Sequence, residues 1–98
     1  MSAFNIVRFR TKPEREEEFI EAHRKAKTDW PGLKHANLVR LGDRAFCLVA
    51  EWKDEKSLTA ALPKMVEALD TFRDCLEVLS PQMGVTAPIS GPVVLKMK

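Results

Sequence analysis

The chain has 98 residues, 45% of them hydrophobic and 31% charged, and a formal net charge of +2. That is the length of one domain, 1–98, too apolar for a disordered chain; its acids and bases are interleaved, so it lacks the basic stripe of a nucleic-acid binder. No apolar run approaches the roughly 18 residues of a membrane span, and the opening MSAFNIVRFR lacks the pattern of a signal peptide. The two cysteines, Cys47 and Cys75, lie far apart among apolar neighbours. They read as buried free thiols in a reducing cytoplasm, and with two scattered histidines they make no zinc site. A domain this small buries a modest share of its surface, so a second copy would help it.

AFNIVRFR (3–10) is rich in Phe, Ile and Val and alternates, with Phe4, Ile6 and Arg8 on one face and Asn5, Val7 and Phe9 on the other. That predicts a strand. A helix is expected next. Thr11 and Glu14 have capping-box spacing, and Pro13 suits a first turn. Four glutamates (14, 16, 17, 18) crowd its start while Arg24, Lys25 and Lys27 crowd its end, the order the helix dipole favours. Phe19, His23, Ala26 and Trp30 recur at helical spacing as the inner stripe, and Pro31-Gly32 stops the helix.

LKHANLVRL and RAFCLVAEW predict a hairpin turning at Gly42-Asp43. The second of these strands is apolar on both faces, which predicts a central, covered strand or one buried in an interface. Asp54 should cap a second helix beginning EKSLTAAL, which Pro63 should interrupt or kink. Met65, Leu69, Phe72, Leu76 and Leu79 continue one apolar face. After the turn-rich SPQMGVTAPISGP, VVLKM reads as a short last strand.

The order β-α-β-β-α-β predicts an α+β, ferredoxin-like domain: an antiparallel sheet with helices on one face. The open face still carries apolar side chains, and the simplest cover is the same face of a second copy, a homodimer.

The opening strand, the Lys-Pro-Glu helix start, the segment PGLKHANLVRLGDRAFCLVAEWKDEKSLTAAL with its Glu51-Trp52 close, and the tail SGPVVLKM resemble the antibiotic biosynthesis monooxygenase (ABM)-like group over nearly the whole chain. The resemblance implies a dimeric α+β barrel. It also implies, for some members, oxidation of a quinol- or anthrone-type aromatic by O2 with no cofactor. Such a reaction needs a dry pocket, a base that forms an electron-rich anion, and a donor for the developing oxyanion. His23 is the candidate base, since histidine titrates near neutrality unaided. Trp30 on the same helix face could wall the pocket, Asn5 could donate a hydrogen bond, and Arg8 or Arg40 could hold an anion. Each also has a plain structural reading: His23 as a hydrogen-bonded core residue, Trp30 as packing, Asn5 as a partner of backbone, Arg8 and Arg40 on the solvated or dimer-facing side. The absence of tyrosine departs from polyphenol-oxidising relatives, and a second helix without Trp or His argues against haem degradation. The alternative function is a non-catalytic homodimeric module that binds a small ligand or serves as an accessory to another protein.

Overall fold

The computed structural model describes all 98 residues. The chain runs β1 (Ala3–Arg10), α1 (Glu16–Arg24), β2 (Leu33–Gly42), β3 (Ala45–Trp52), α2 (Glu55–Asp70), a 3-10 turn (Arg73–Cys75) and β4 (Ala87–Pro92). The strands form one antiparallel sheet in the order β2-β3-β1-β4. This is the α+β, ferredoxin-like arrangement expected from the sequence.

Alternation along the two central strands separates the faces. Ala3, Asn5, Val7 and Phe9 of β1 pair with Trp52, Ala50, Leu48 and Phe46 of β3, and these pairs lie beneath the helices. They build two cores. Phe9, Phe19, Phe46, Phe72, Cys75 and Leu76 form the first, with α1 laid over it. Ala3, Ala50, Trp52, Leu58 and Ala61 form the second, beneath α2. The opposite face carries Phe4, Ile6, Cys47 and Val49, with Val39, Leu41 and Ile89 exposed by 40%, 53% and 65%.

The Asp54 cap forms as expected: its side chain accepts the Ser57 backbone N–H at 2.7 Å. That bond stabilises the ionised carboxylate and holds Asp54 below its ordinary pKa. Removing it in Asp54→Ala should cost about 1 kcal/mol of unfolding free energy, read as a shifted urea midpoint at constant slope. Gly32 approaches the same helix start. Its φ is +82°, and a Cβ there would lie 2.4 Å from Ser57 Oγ. Only glycine fits that crossing.

Five local expectations are corrected. Thr11 and Glu14 make no capping box: α1 starts at Glu16, with Arg15 at its N-cap and no side-chain cap. Thr11 instead sits buried in the core with its hydroxyl unpartnered, while its backbone N–H donates to Arg44 O and its carbonyl accepts from the Arg44 guanidinium. The start of α1 is held by other groups. Arg15 Nε donates to Glu18 at 2.9 Å, and the Cys75 thiol donates to the same carboxylate at 3.0 Å. The Arg15 bond draws Glu18 down to about 2, while burial pushes Cys75 up.

α1 also ends at Arg24, six residues before Trp30. Beyond His23 the run Lys25–Asp29 offers only an exposed Ala26, so no apolar face repays helix formation, and Trp30 precedes a proline. The hairpin turn falls on Asp43 and Arg44, with Arg44 at φ 58° and a register shift between Arg40 and Gly42. Pro63 does not interrupt α2, which is helical from 55 to 70. It is exposed, as is Thr59, whose carbonyl loses its helical donor. Phe72 and Leu76 reach the first core from the turn after α2.

The last strand is Ala87–Pro92, not VVLKM. β4 is an edge strand, and Pro88 and Pro92 are four residues apart. Their nitrogens therefore point to the same, outer side, while the alternate residues Ala87, Ile89 and Gly91 carry the ladder to β1.

Candidate functional site

His23 lies in the last turn of α1, on the side turned to the sheet. Its ring sits among aromatic side chains, with centroids 4.5 Å from Phe19, 4.5 Å from Phe72 and 6.0 Å from Phe9. Nδ1 is 2.9 Å from the Phe19 carbonyl oxygen, four residues back. A carbonyl only accepts, so Nδ1 carries the proton and Nε2 holds the lone pair. Nε2 makes no hydrogen bond within the chain and is not among its sealed, unpartnered atoms. It is therefore not sealed inside the core. Burial pushes the imidazole below its ordinary pKa, outweighing the opposite effect of the Phe19 carbonyl. The ring is neutral at pH 7 and ready to accept a proton.

His23 borders a cavity of about 380 Å³ between α1 and the outer part of the sheet. Ile20, Leu38 and Phe46 supply its apolar walls; Arg24 and Arg40 complete it. Arg40 stands opposite Phe46 in the sheet register, with its guanidinium carbon 4.8 Å from the centre of that ring. It also donates to Glu16 at the start of α1. Arg40 therefore lies on the helix side of the sheet, not on the dimer-facing side, and it stays solvated, with 49% of its side chain exposed. Its sequence position left this open, because β2 carries apolar residues in both alternating sets: Leu38 beside Arg40, and Val39 with Leu41.

The other candidates are not gathered at this cavity. Asn5 is buried in the second core. Its Oδ1 accepts the Trp52 indole N–H at 2.7 Å, and its amide nitrogen lies 3.8 Å from Met65 Sδ. It stands four residues along β1 from Phe9, about 13 Å from the His23 end. Trp30 is in the loop after α1 and stacks on Trp52, with centroids 6.1 Å apart and planes 27° apart. Arg8 is exposed on the open sheet face. Sequence reasoning gave Asn5 a substrate, backbone or solvent partner, and the Trp52 indole takes that place instead. A register with Ala3 opposite Trp52 was the missing signal.

The model of the family described as antibiotic biosynthesis monooxygenase matches residues 2–64, well over half of the chain. The chain belongs to the antibiotic biosynthesis monooxygenase family. No curated protein matches it. Among solved structures, it is similar to a family member's fold in SnoaB, a cofactor-independent oxygenase from Streptomyces nogalater, at 18% identity, with 98% of this chain and 96% of that one covered and a TM-score of 0.67. It is also similar to a monooxygenase of Streptomyces coelicolor in complex with nanaomycin D, at 16% identity, 99% and 91% coverage and a TM-score of 0.72. A protein of unknown function from Nitrosomonas europaea aligns at 18% identity over 99% and 93% of the chains, with a TM-score of 0.77. At these identities the structures establish the shared ABM fold; members with and without a described activity have it. No helix of this family member is long and apolar enough to cross a membrane.

Proposed function

We propose that this member of the family is a cofactor-independent monooxygenase-like enzyme for a small aromatic of quinol or anthrone type, with His23 as its base. The observation that carries the reading is the histidine itself: a neutral ring, anchored through Nδ1, with a free Nε2 at the edge of an apolar-walled cavity. Nε2 takes a proton from the substrate, and the resulting electron-rich anion reacts with O2. For an anthrone-type methylene, one O2 gives a ring carbonyl and one water, so no external reductant is needed. Arg40 stabilises the anion from the cavity wall. This replaces the grouping of His23 with Asn5, Trp30 and Arg8, since those three lie in the second core, beside it and on the open face. The test is oxygen uptake by metal-stripped protein with a panel of anthrones and quinols, wild type beside a His23 variant. Uptake that needs His23 supports the reading; uptake indifferent to His23 overturns the assignment.

The homodimer belongs to the same reading. The half-buried Phe4, Ile6 and Val49 and the exposed Val39, Leu41 and Ile89 make an apolar sheet face that a second copy would cover. Light scattering at micromolar concentration should give twice the 11.1 kDa chain mass, and Ile6→Lys should give the single-chain mass. A monomeric wild type would defeat this contact. The buried free thiols Cys47 and Cys75 support a cytoplasmic setting.

A further inference from the structure

We propose that the His23 cavity selects an aromatic that bears a carboxylate, held by Arg40 while the ring lies against Phe46, Leu38 and Ile20. This rests on the cavity being the substrate site and names the chemical class it takes. The six residues around the cavity divide evenly between apolar side chains and basic ones (His23, Arg24 and Arg40), and none is acidic. Each arginine also has a carboxylate partner outside that lining, Glu21 on Arg24 and Glu16 on Arg40.

The two arginines differ. Arg24 is largely exposed and paired with Glu21 at 3.2 Å, so its charge is screened and its side chain is free to move. Arg40 is held in place. Phe46 lies under its guanidinium, and Glu16 takes a hydrogen bond from one terminal nitrogen only. The remaining donors of its fork have no partner in the chain. A planar guanidinium fixed on an aromatic face, with donors to spare, is suited to two parallel bonds to a carboxylate. Glu16 then acts as an internal competitor: it neutralises Arg40 in the empty cavity and yields part of it to an arriving anion. The hydroxyl or acidic C–H of the same ring system falls to Nε2 of His23.

Equilibrium binding tests this without turnover. The probes are a hydroxynaphthoate and the matching hydroxynaphthamide, equal in shape and different in charge, titrated by calorimetry into the full chain. The acid should bind about tenfold tighter than the amide, the preference expected of a charge-assisted bond. Arg40→Met should remove the preference, weakening the acid about tenfold more than the amide. Glu16→Gln should raise the acid's affinity several-fold without moving the amide's, a gain that a merely structural role for the pair would not produce. Equal affinities in the wild type, a preference that survives Arg40→Met, or failure of both probes to bind at millimolar concentration would overturn the proposal. Its fate separates from that of the oxygenase reading. His23-dependent oxygen uptake with no acid preference sinks only the carboxylate. An Arg40-dependent acid preference with no uptake on any hydroxyaromatic acid sinks only the oxygenase.

Discussion

If His23 is the proposed base, His23→Gln should lower the rate of oxygen uptake by about 10²- to 10⁴-fold, the loss expected when a positioned general base is removed, while the protein stays folded. Glutamine is near the size of histidine and keeps a polar end for the Phe19 carbonyl, so the surrounding rings keep their contacts. The pH profile gives an independent reading. Burial holds the folded imidazole below 6.5, so the base form dominates at neutrality and the wild-type rate falls only when acid reaches that lowered value. The acid limb should vanish in the variant. Stability follows the same titration with a definite sign. The unfolded chain takes up the proton near 6.5, before the folded chain does, so acid favours unfolding. Wild-type stability should therefore decline as pH falls from 6.5 to the folded value and gain no further loss from this group below it. His23→Gln should lack that component of the decline, as measured by urea midpoints at pH 7 and pH 5. A variant with full activity and the wild-type acid limb would show that another group is the base.

Phe19→Ala should produce the largest loss of stability, about 3 to 5 kcal/mol. Phe19 is fully buried, and its ring meets Phe9 at 5.3 Å, Phe46 at 5.0 Å, Phe72 at 5.4 Å and His23 at 4.5 Å. It joins α1 to both central strands and to the turn after α2, so no single neighbour can fill the space it leaves. Total stabilities of small domains are about 5 to 15 kcal/mol, and this deletion consumes a large part of that. The measurement is a denaturant midpoint at constant slope. Phe19→Leu should recover much of the loss, because it keeps most of the volume. A loss below about 1 kcal/mol in the alanine variant would mean that α1 docks through other contacts.

Elements with a strong local signal were legible in the sequence. β1 and β3 are rich in aromatic, β-branched and other apolar residues, and Asp54 precedes a helix as its cap. Misreadings came where two physical effects competed. The Val-Val-Leu of the tail has high strand propensity, yet the free edge of β1 pairs with a segment whose prolines both face outward. Thr11 and Glu14 have the spacing of a capping box, but burial and the Arg44 backbone claim the threonine. The helical spacing of Phe19, His23, Ala26 and Trp30 continues past the point where the helix ends, because Ala26 finds nothing to pack on. Of the site, His23 was visible from its place on an apolar stripe. Arg40 was named beside Arg8 as a residue that could hold an anion, but β2 gives no hint of which face is inward, and only pairing with Phe46 decides it.

Trp52 lies in the core beneath α2, Trp30 stacks on it from the loop after α1, and the chain has no tyrosine. The half that holds His23 contains phenylalanine alone. Indole emission and the near-ultraviolet dichroism of the stacked pair therefore watch one side of the molecule: they register the docking of α2 and are blind to a guest beside α1. A guest that does not absorb where indole emits would leave the tryptophan signal unmoved, whereas a fluorine label on the phenylalanines would see it.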